Sequence, residues 1–183
     1  MINFLFRLFL TFNATSLILV IYLVKSQIII NGLHPSMINL PHYISYLIYF
    51  GIPIFLTYLS LLLSNKLTDD SIEMDNGKST IREMECANNA YLPSYLGYFF
   101  VALSIPYYDT LIFIFLILFL FTFFSQTLYF NPLFLIFGYH FYYLVTKNNI
   151  KIFLISKGKF KDPTKLNFLH LKRINNFTFI DKN

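Results

Sequence analysis

The stretch TLIFIFLILFLFTFFSQTLYFNPLFLIFGYHFYYLVT, from Thr110 to Thr146, runs for 37 residues without an Asp, Glu, Lys or Arg. Its first 21 residues carry six phenylalanines between Leu111 and Phe124, and they end just before Asn131-Pro132. About 20 apolar residues suffice for a helix to cross a bilayer, so we predict a transmembrane helix over residues 110–130. Nine Lys/Arg follow before Asn183, which is the pattern of a membrane protein with a basic cytoplasmic tail.

The composition of the whole chain agrees with a membrane protein. Hydrophobic residues make up 56% of the 183 residues, the mean hydropathy is +0.58, and only 13% of residues are charged. Soluble domains carry about 25% charged residues, so this chain has too little polar surface for a soluble globule. The single cysteine, Cys86, cannot form an intramolecular disulfide.

Three further segments are charge-poor and apolar. We predict spans over about residues 4–24, 43–63 and 91–108 in addition to 110–130. The first is interpreted as an uncleaved helix, the second contains Gly51 and Pro53 and should kink, and the third is the weakest because polar residues and Pro93 lie in its first part.

The run LFLIFGYHFYYLV, residues 133–145, has 13 residues and is too short to cross a membrane. It could re-enter the membrane, lie at its surface or pack against the bundle. Its aromatic residues occur all round a helix, so we predict a short apolar helix that packs against the bundle.

Four spans place Arg7, the loop of residues 64–85 and the tail on one side of the membrane. That side then holds thirteen of the 14 Lys/Arg, Lys78 among them, and Lys25 lies opposite. The positive-inside rule therefore predicts that both termini are cytoplasmic.

The two cytoplasmic segments have opposite charge. In the acidic loop, Thr80 and Glu83 fit a capping box and predict a helix start, while Asp69-Asp70 could be a metal or acid–base pair but favours a solvated loop. The tail contains two β-like runs, residues 150–155 and 177–180, which predict a small paired-strand element.

The tail supplies the candidate binding residues, which share a positive charge: Lys157, Lys159, Lys161, Lys172 and Arg173. They could contact anionic membrane lipids or an acidic partner surface. The lone His140 among aromatic residues favours packing over metal ligation. No catalytic motif is present, so we predict no enzyme, no cofactor and no metal site.

Together these observations predict an all-α polytopic membrane protein with four transmembrane helices, an additional short apolar helix and a small cytoplasmic C-terminal α/β-like tail. The transmembrane domain would cover residues 1–146, with the acidic loop at residues 64–85, and the basic tail would cover residues 147–183.

Three stretches carry a family resemblance: ANNAYLPSYLGYFFVALSI at 87–105, SQTLYFNPLFLIFGYHFYY at 125–143, and KIFLISK with LKRINNFTFID within 151–181. In combination they resemble the KwaA family, the membrane components of the bacterial Kiwa anti-phage defence system. The resemblance implies an inner-membrane homotetramer that senses phage infection and controls a cytosolic DNA-binding effector, KwaB. Nucleic acid would then be bound only indirectly, through that partner.

Under this resemblance, a disturbed bilayer would alter packing at two breaks in the helices, Gly51-Pro53 and Asn131-Pro132, and the cytoplasmic segments would signal to the partner. The alternative is a small oligomeric channel or transporter with Gln126, Asn131 and His140 along its pathway. A structural lipid-binding protein without a partner is a third possibility.

Overall fold

The computed structural model describes residues 2–30, 41–72, 80–90, 92–125 and 131–182. These residues form five α-helices: α1 (Ile2–Lys25), α2 (His42–Leu63), α3 (Leu92–Ser104), α4 (Tyr108–Ser125) and α5 (Leu133–Ile136). They also form six strands: β1 (Asp69–Ile72), β2 (Ile81–Cys86), β3 (His140–Thr146), β4 (Lys151–Ser156), β5 (Phe168–Arg173) and β6 (Thr178–Asp181). The predicted all-α class is therefore wrong, because a six-stranded sheet joins the helical bundle.

Helix α1 is the centre of the bundle and packs against α2, α3 and α4. Three helical segments are long and apolar enough to cross a membrane: Ile2–Lys25, His42–Lys66 and Tyr108–Ser125. The second of these extends α2 by one 3₁₀ turn. Helix α3 has 13 residues, or about 20 Å, which is less than the roughly 30 Å of a hydrocarbon core.

Helix α3 lies beside the second half of α1. The Tyr95 hydroxyl donates to the Ala14 carbonyl at 3.1 Å, and Lys25 Nζ donates to the Ile105 carbonyl at 2.7 Å. The polar residues before α3 instead belong to the sheet region, where the Asn88 side chain accepts a hydrogen bond from the Phe141 amide at 2.9 Å. Because these polar residues belong to the sheet region, the third apolar segment forms the shortest of the four bundle helices.

The strand order is β1-β5-β6-β4-β3-β2. All neighbours are antiparallel except β4 and β6, the two β-like runs of the tail, which pair in parallel. The segment predicted as an acidic loop contributes both edge strands, since β1 pairs with β5 and β2 pairs with β3. The helix predicted from Thr80 is wrong, because Ile81–Cys86 is a strand.

The apolar run of residues 133–145 is split between two structures. Only Leu133–Ile136 is helical, and Gly138, with φ of +76°, ends that turn. The Gly138 and Tyr139 amides donate to the Leu135 and Phe134 carbonyls, which is the Schellman arrangement at a helix C-terminus. The β-rich sequence that follows pairs with β4 along its length, so the predicted 13-residue helix is wrong.

The sheet lies across one end of the bundle and has two buried faces. The face toward the helices forms the junction core, made of Phe6, Leu10, Leu61, Leu67, Ala87, Phe134, Tyr139, Phe141, Phe153, Ile155, Ile174 and Ile180. The opposite face forms the outer core, made of Ile81, Tyr142, Leu144, Ile152, Leu154, Leu166, Phe168, Leu171 and Phe179. Because β4 is buried on both faces, helices and sheet share one continuous packed structure.

Candidate functional site

Three of the predicted basic residues lie together on an extended segment between β4 and β5, which we call the basic segment (Lys157–Lys161). Lys157, Lys159 and Lys161 are exposed, and Gly158 and Phe160 between them are half-buried. Side chains of an extended chain alternate between two sides, so Lys159 and Lys161 face away from Phe160 and lie about 7 Å apart. Neither Lys159 nor Lys161 makes an ion pair with any described residue, which leaves two cations available to a ligand.

Phe160 fixes this segment to the sheet. Its ring centroid lies 5.2 Å from that of Tyr142 and 5.3 Å from that of Phe168, both in the outer core. The ring also lies so close to Gly158 that an added Cβ there would come within 2.4 Å of it. The Tyr142 hydroxyl donates to the Gly158 carbonyl at 2.8 Å. These contacts hold Lys159 and Lys161 on the face of the sheet that is turned away from the helices, whereas Lys157 Nζ lies 5.2 Å from the ring centre of Tyr139 in the junction core.

Lys172 and Arg173, the other two candidate residues, lie on β5 and contact the acidic edge strand β1. Lys172 Nζ is 2.6 Å from the Asp69 carboxylate, and its side chain is only 19% exposed. Arg173 is 3.9 Å from the Asp70 carboxylate and donates to the Asn176 side chain at 2.6 Å. The structure therefore separates the five basic residues into an outward pair, Lys159 and Lys161, a lysine beside the junction core, Lys157, and a pair on β5 that contacts β1.

The two predicted helix breaks meet in a buried polar junction inside the bundle. It consists of Asn13 on α1, Thr57 and the Pro53 carbonyl on α2, and Asn131 before α5. Asn13 and Thr57 are 0% exposed and Asn131 is 2% exposed. Gly51 is exposed, and a Cβ added there would meet no atom within 4 Å, so this glycine takes no part in the junction.

The hydrogen bonds of the polar junction connect three elements. Asn131 Nδ2 donates to Thr57 Oγ1 at 3.2 Å, and Thr57 Oγ1 is 2.8 Å from the Pro53 carbonyl. The surrounding donors and acceptors determine the orientation of the Asn13 side-chain amide. Its oxygen accepts from Asn131 at 2.9 Å, and its nitrogen donates to the Pro53 carbonyl at 3.2 Å. All of these polar groups are thus paired in an apolar surrounding, where an unpaired amide is costly.

Asn131 also connects the polar junction to the sheet. Its side-chain oxygen accepts from the Leu133 amide at 3.0 Å, which caps the α5 turn. Pro132 begins that turn, and Phe134, 1% exposed, packs its ring against Tyr139 and Phe141 of the junction core. A change in the packing of α1 against α2 can therefore be transmitted to β3 through a short series of buried contacts.

Two titratable groups at the junction core have shifted pKa values. Burial lowers the pKa of Lys182, and the nearby positive charges of Lys157 and Lys172 lower it further. Its Nζ donates to the Leu61 carbonyl at the C-terminal end of α2, at 2.6 Å. Burial raises the pKa of the Tyr139 hydroxyl, and the negative charge of Asp181 adds to that shift. These contacts tie the chain end after β6 to the second helix.

The polar residues of the channel alternative do not meet in the described part of the chain. Asn131 is enclosed between helices of one protomer, and His140 Nδ1 lies 2.9 Å from the Asn88 amide. Gln126 and Lys78 lie outside the described residues. Within the described ranges, no three His, Cys, Asp or Glu side chains gather where they could hold a metal ion.

Sequence reasoning missed the role of Asn13 and Thr57, because each reads as an isolated polar residue within an apolar span. Their spacing from Pro53 gave no sign that they would meet Asn131. The alternation in KGKFK was a signal that could have located the basic segment, since it places Lys159 and Lys161 on the side of the chain opposite Phe160.

Comparison with known proteins gives one family. No curated protein and no solved structure matches the chain. The family model described as "Anti-phage protein KwaA" matches residues 6–180, which includes the polar junction and all of the helices and strands except the first four residues of α1 and the last residue of β6. The chain therefore belongs to the KwaA family of anti-phage proteins.

Proposed function

We propose that this chain is a membrane-embedded sensor and scaffold subunit of an anti-phage defence complex, and that its basic segment recruits a cytosolic effector. The role is non-enzymatic. The observation that supports it best is the position of Lys159 and Lys161: they extend from the outer core, on the sheet face opposite the helices. If α1 and α2 form one membrane-crossing pair and α3 and α4 form a second, both termini and the sheet lie in the cytoplasm, and this face points into the cytosol. That position favours an acidic protein surface over lipid headgroups.

The sensing part of the proposal rests on the polar junction. Altered packing between α1 and α2 in a disturbed membrane would shift Asn131. That shift would move α5 and the junction core, and through them the sheet that holds the basic segment. The resemblance supplies the expected partner, a KwaB-like DNA-binding protein, and the expected homotetramer. Nucleic acid would be engaged through the partner alone.

The experiment compares two double variants that remove the same charge. Lys159→Ala/Lys161→Ala should abolish phage protection and partner recovery from solubilised membranes, while the amount of membrane protein stays unchanged. Lys66→Ala/Lys147→Ala removes two exposed lysines elsewhere and should behave like the unmodified protein. Full recovery of the partner with the first variant would remove the basic segment from the mechanism.

A further inference from the structure

A polar cavity of about 370 Å³ lies where the start of α1 meets the sheet. Its lining has one common property, an abundance of hydrogen-bond donors: Asn3, Arg7, Thr68, Arg173, Asn175 and Asn176, with Phe4 and Ile174 completing it. Two guanidinium groups thus face one cavity, and its lining residues in the described part of the chain include no carboxylate. We propose that this cavity binds the phosphate group of an anionic phospholipid.

The charges of the cavity fit a phosphate. Arginine is suited to phosphate because its planar donors form two parallel hydrogen bonds. Arg173 is held in place by Asn176 at 2.6 Å and by the longer contact to Asp70 at 3.9 Å, which only partly neutralises it. Asn3 donates to Thr68 Oγ1 and to the Arg173 carbonyl, both at 3.0 Å, so α1 and the sheet are connected at the wall of the cavity.

The apolar rim of the cavity favours a lipid over free phosphate. Phe4 packs edge-on against Phe123 of α4, with ring centroids 5.5 Å apart, and the Arg7 guanidinium lies 5.4 Å from the centre of the same Phe123 ring. Both helices can cross a membrane by length and composition. A ligand in this cavity therefore meets Arg173 on the sheet and both Arg7 and Phe4 on α1, with Phe123 of α4 packed behind them, which matches a charged headgroup with acyl chains.

The site is independent of partner recruitment, because the basic segment lies on the other face of the sheet. Failure of one proposal therefore leaves the other standing. The two also differ in their expected ligand: a lipid phosphate at the cavity, and a protein surface at the basic segment.

Native mass spectrometry of the full chain in detergent tests the site, with phosphatidylglycerol, phosphatidylcholine and inorganic phosphate as separate probes. We expect phosphatidylglycerol to bind and Arg7→Gln/Arg173→Gln to weaken it by about a hundredfold, because each of the two lost charge-assisted contacts costs about tenfold. Lys159→Gln/Lys161→Gln removes the same charge outside the cavity and should change the affinity by less than about twofold.

Three results would overturn the proposal. Equal weakening by both double variants would show that binding follows net charge and not this cavity. Competition by inorganic phosphate at the affinity of the lipid would make the ligand a free anion. Equal binding of phosphatidylcholine would show that no headgroup is selected. If the double variant does not fold, Arg7→Gln alone serves, with Arg7→Lys expected to restore binding in part because it retains the charge.

Discussion

Replacement of Asn131 by alanine should weaken the connection between the helices and the sheet. The change removes the amide that donates to Thr57 Oγ1 at 3.2 Å and to Asn13 at 2.9 Å, and the oxygen that caps α5 at 3.0 Å. Side-chain hydrogen bonds between membrane helices contribute about 0.6 kcal/mol on average, and a helix cap about 1 kcal/mol. We therefore expect Asn131→Ala to lower the free energy of unfolding by about 2 kcal/mol.

The assay is reversible unfolding by dodecyl sulfate in mixed micelles, followed by circular dichroism. Asn148→Ala, at an exposed turn, is the matched control and should stay within about 0.5 kcal/mol of the unmodified protein. A double-mutant cycle with Thr57→Val isolates the bond between the two side chains and should give a coupling energy of about 0.6 to 1.7 kcal/mol. A coupling energy near zero, or a cost of Asn131→Ala no larger than that of the control, would refute the polar junction as a connection between helices.

Three more predictions concern the sheet. Phe134→Ala should cost about 3 to 5 kcal/mol of unfolding free energy because that ring is 1% exposed in the junction core, and faster protease cleavage of the sheet would report it. Lys172→Ala should cost about 1 kcal/mol in chemical unfolding because it removes the partner of Asp69, whereas Lys159→Ala should be neutral within about 0.5 kcal/mol. Since the folded pKa of Tyr139 is raised above 10.0, its contribution to stability is complete below pH 10 and is lost as the pH rises through the raised pKa. Tyr139→Phe should therefore flatten the loss of stability above pH 10, and an unchanged pH profile would contradict that assignment.

The apolar segments of the bundle could be predicted from the sequence because length and absence of charge are local properties. For this reason residues 43–63 fall on α2 and residues 4–24 fall on α1, while residues 110–125 fall on α4 and the last five residues of that predicted span lie outside the described residues. The sheet could not be predicted in the same way. Its edge strands come from a segment that separates two helices and pair with strands about 60 to 100 residues later. No local pattern encodes those pairings.

The run of residues 133–145 shows the limit most clearly. A short apolar run fits a buried helix and a buried strand equally well, since periodicity cannot separate them. Gly138 was the local sign of a helix end, and the β-branched and aromatic residues after it favour a strand. In the candidate site, the positive charge of the tail could be predicted from the sequence. The pairing of Lys172 with Asp69 could not, because it depends on the register of β1 and β5.

The most direct test of the proposed role is purification of the tagged, detergent-solubilised protein from its native host, with mass spectrometry and size analysis of the product. We expect an oligomer of this chain that carries a stoichiometric cytosolic protein able to bind DNA. A clean oligomer without any partner would contradict the scaffold role and favour the channel alternative.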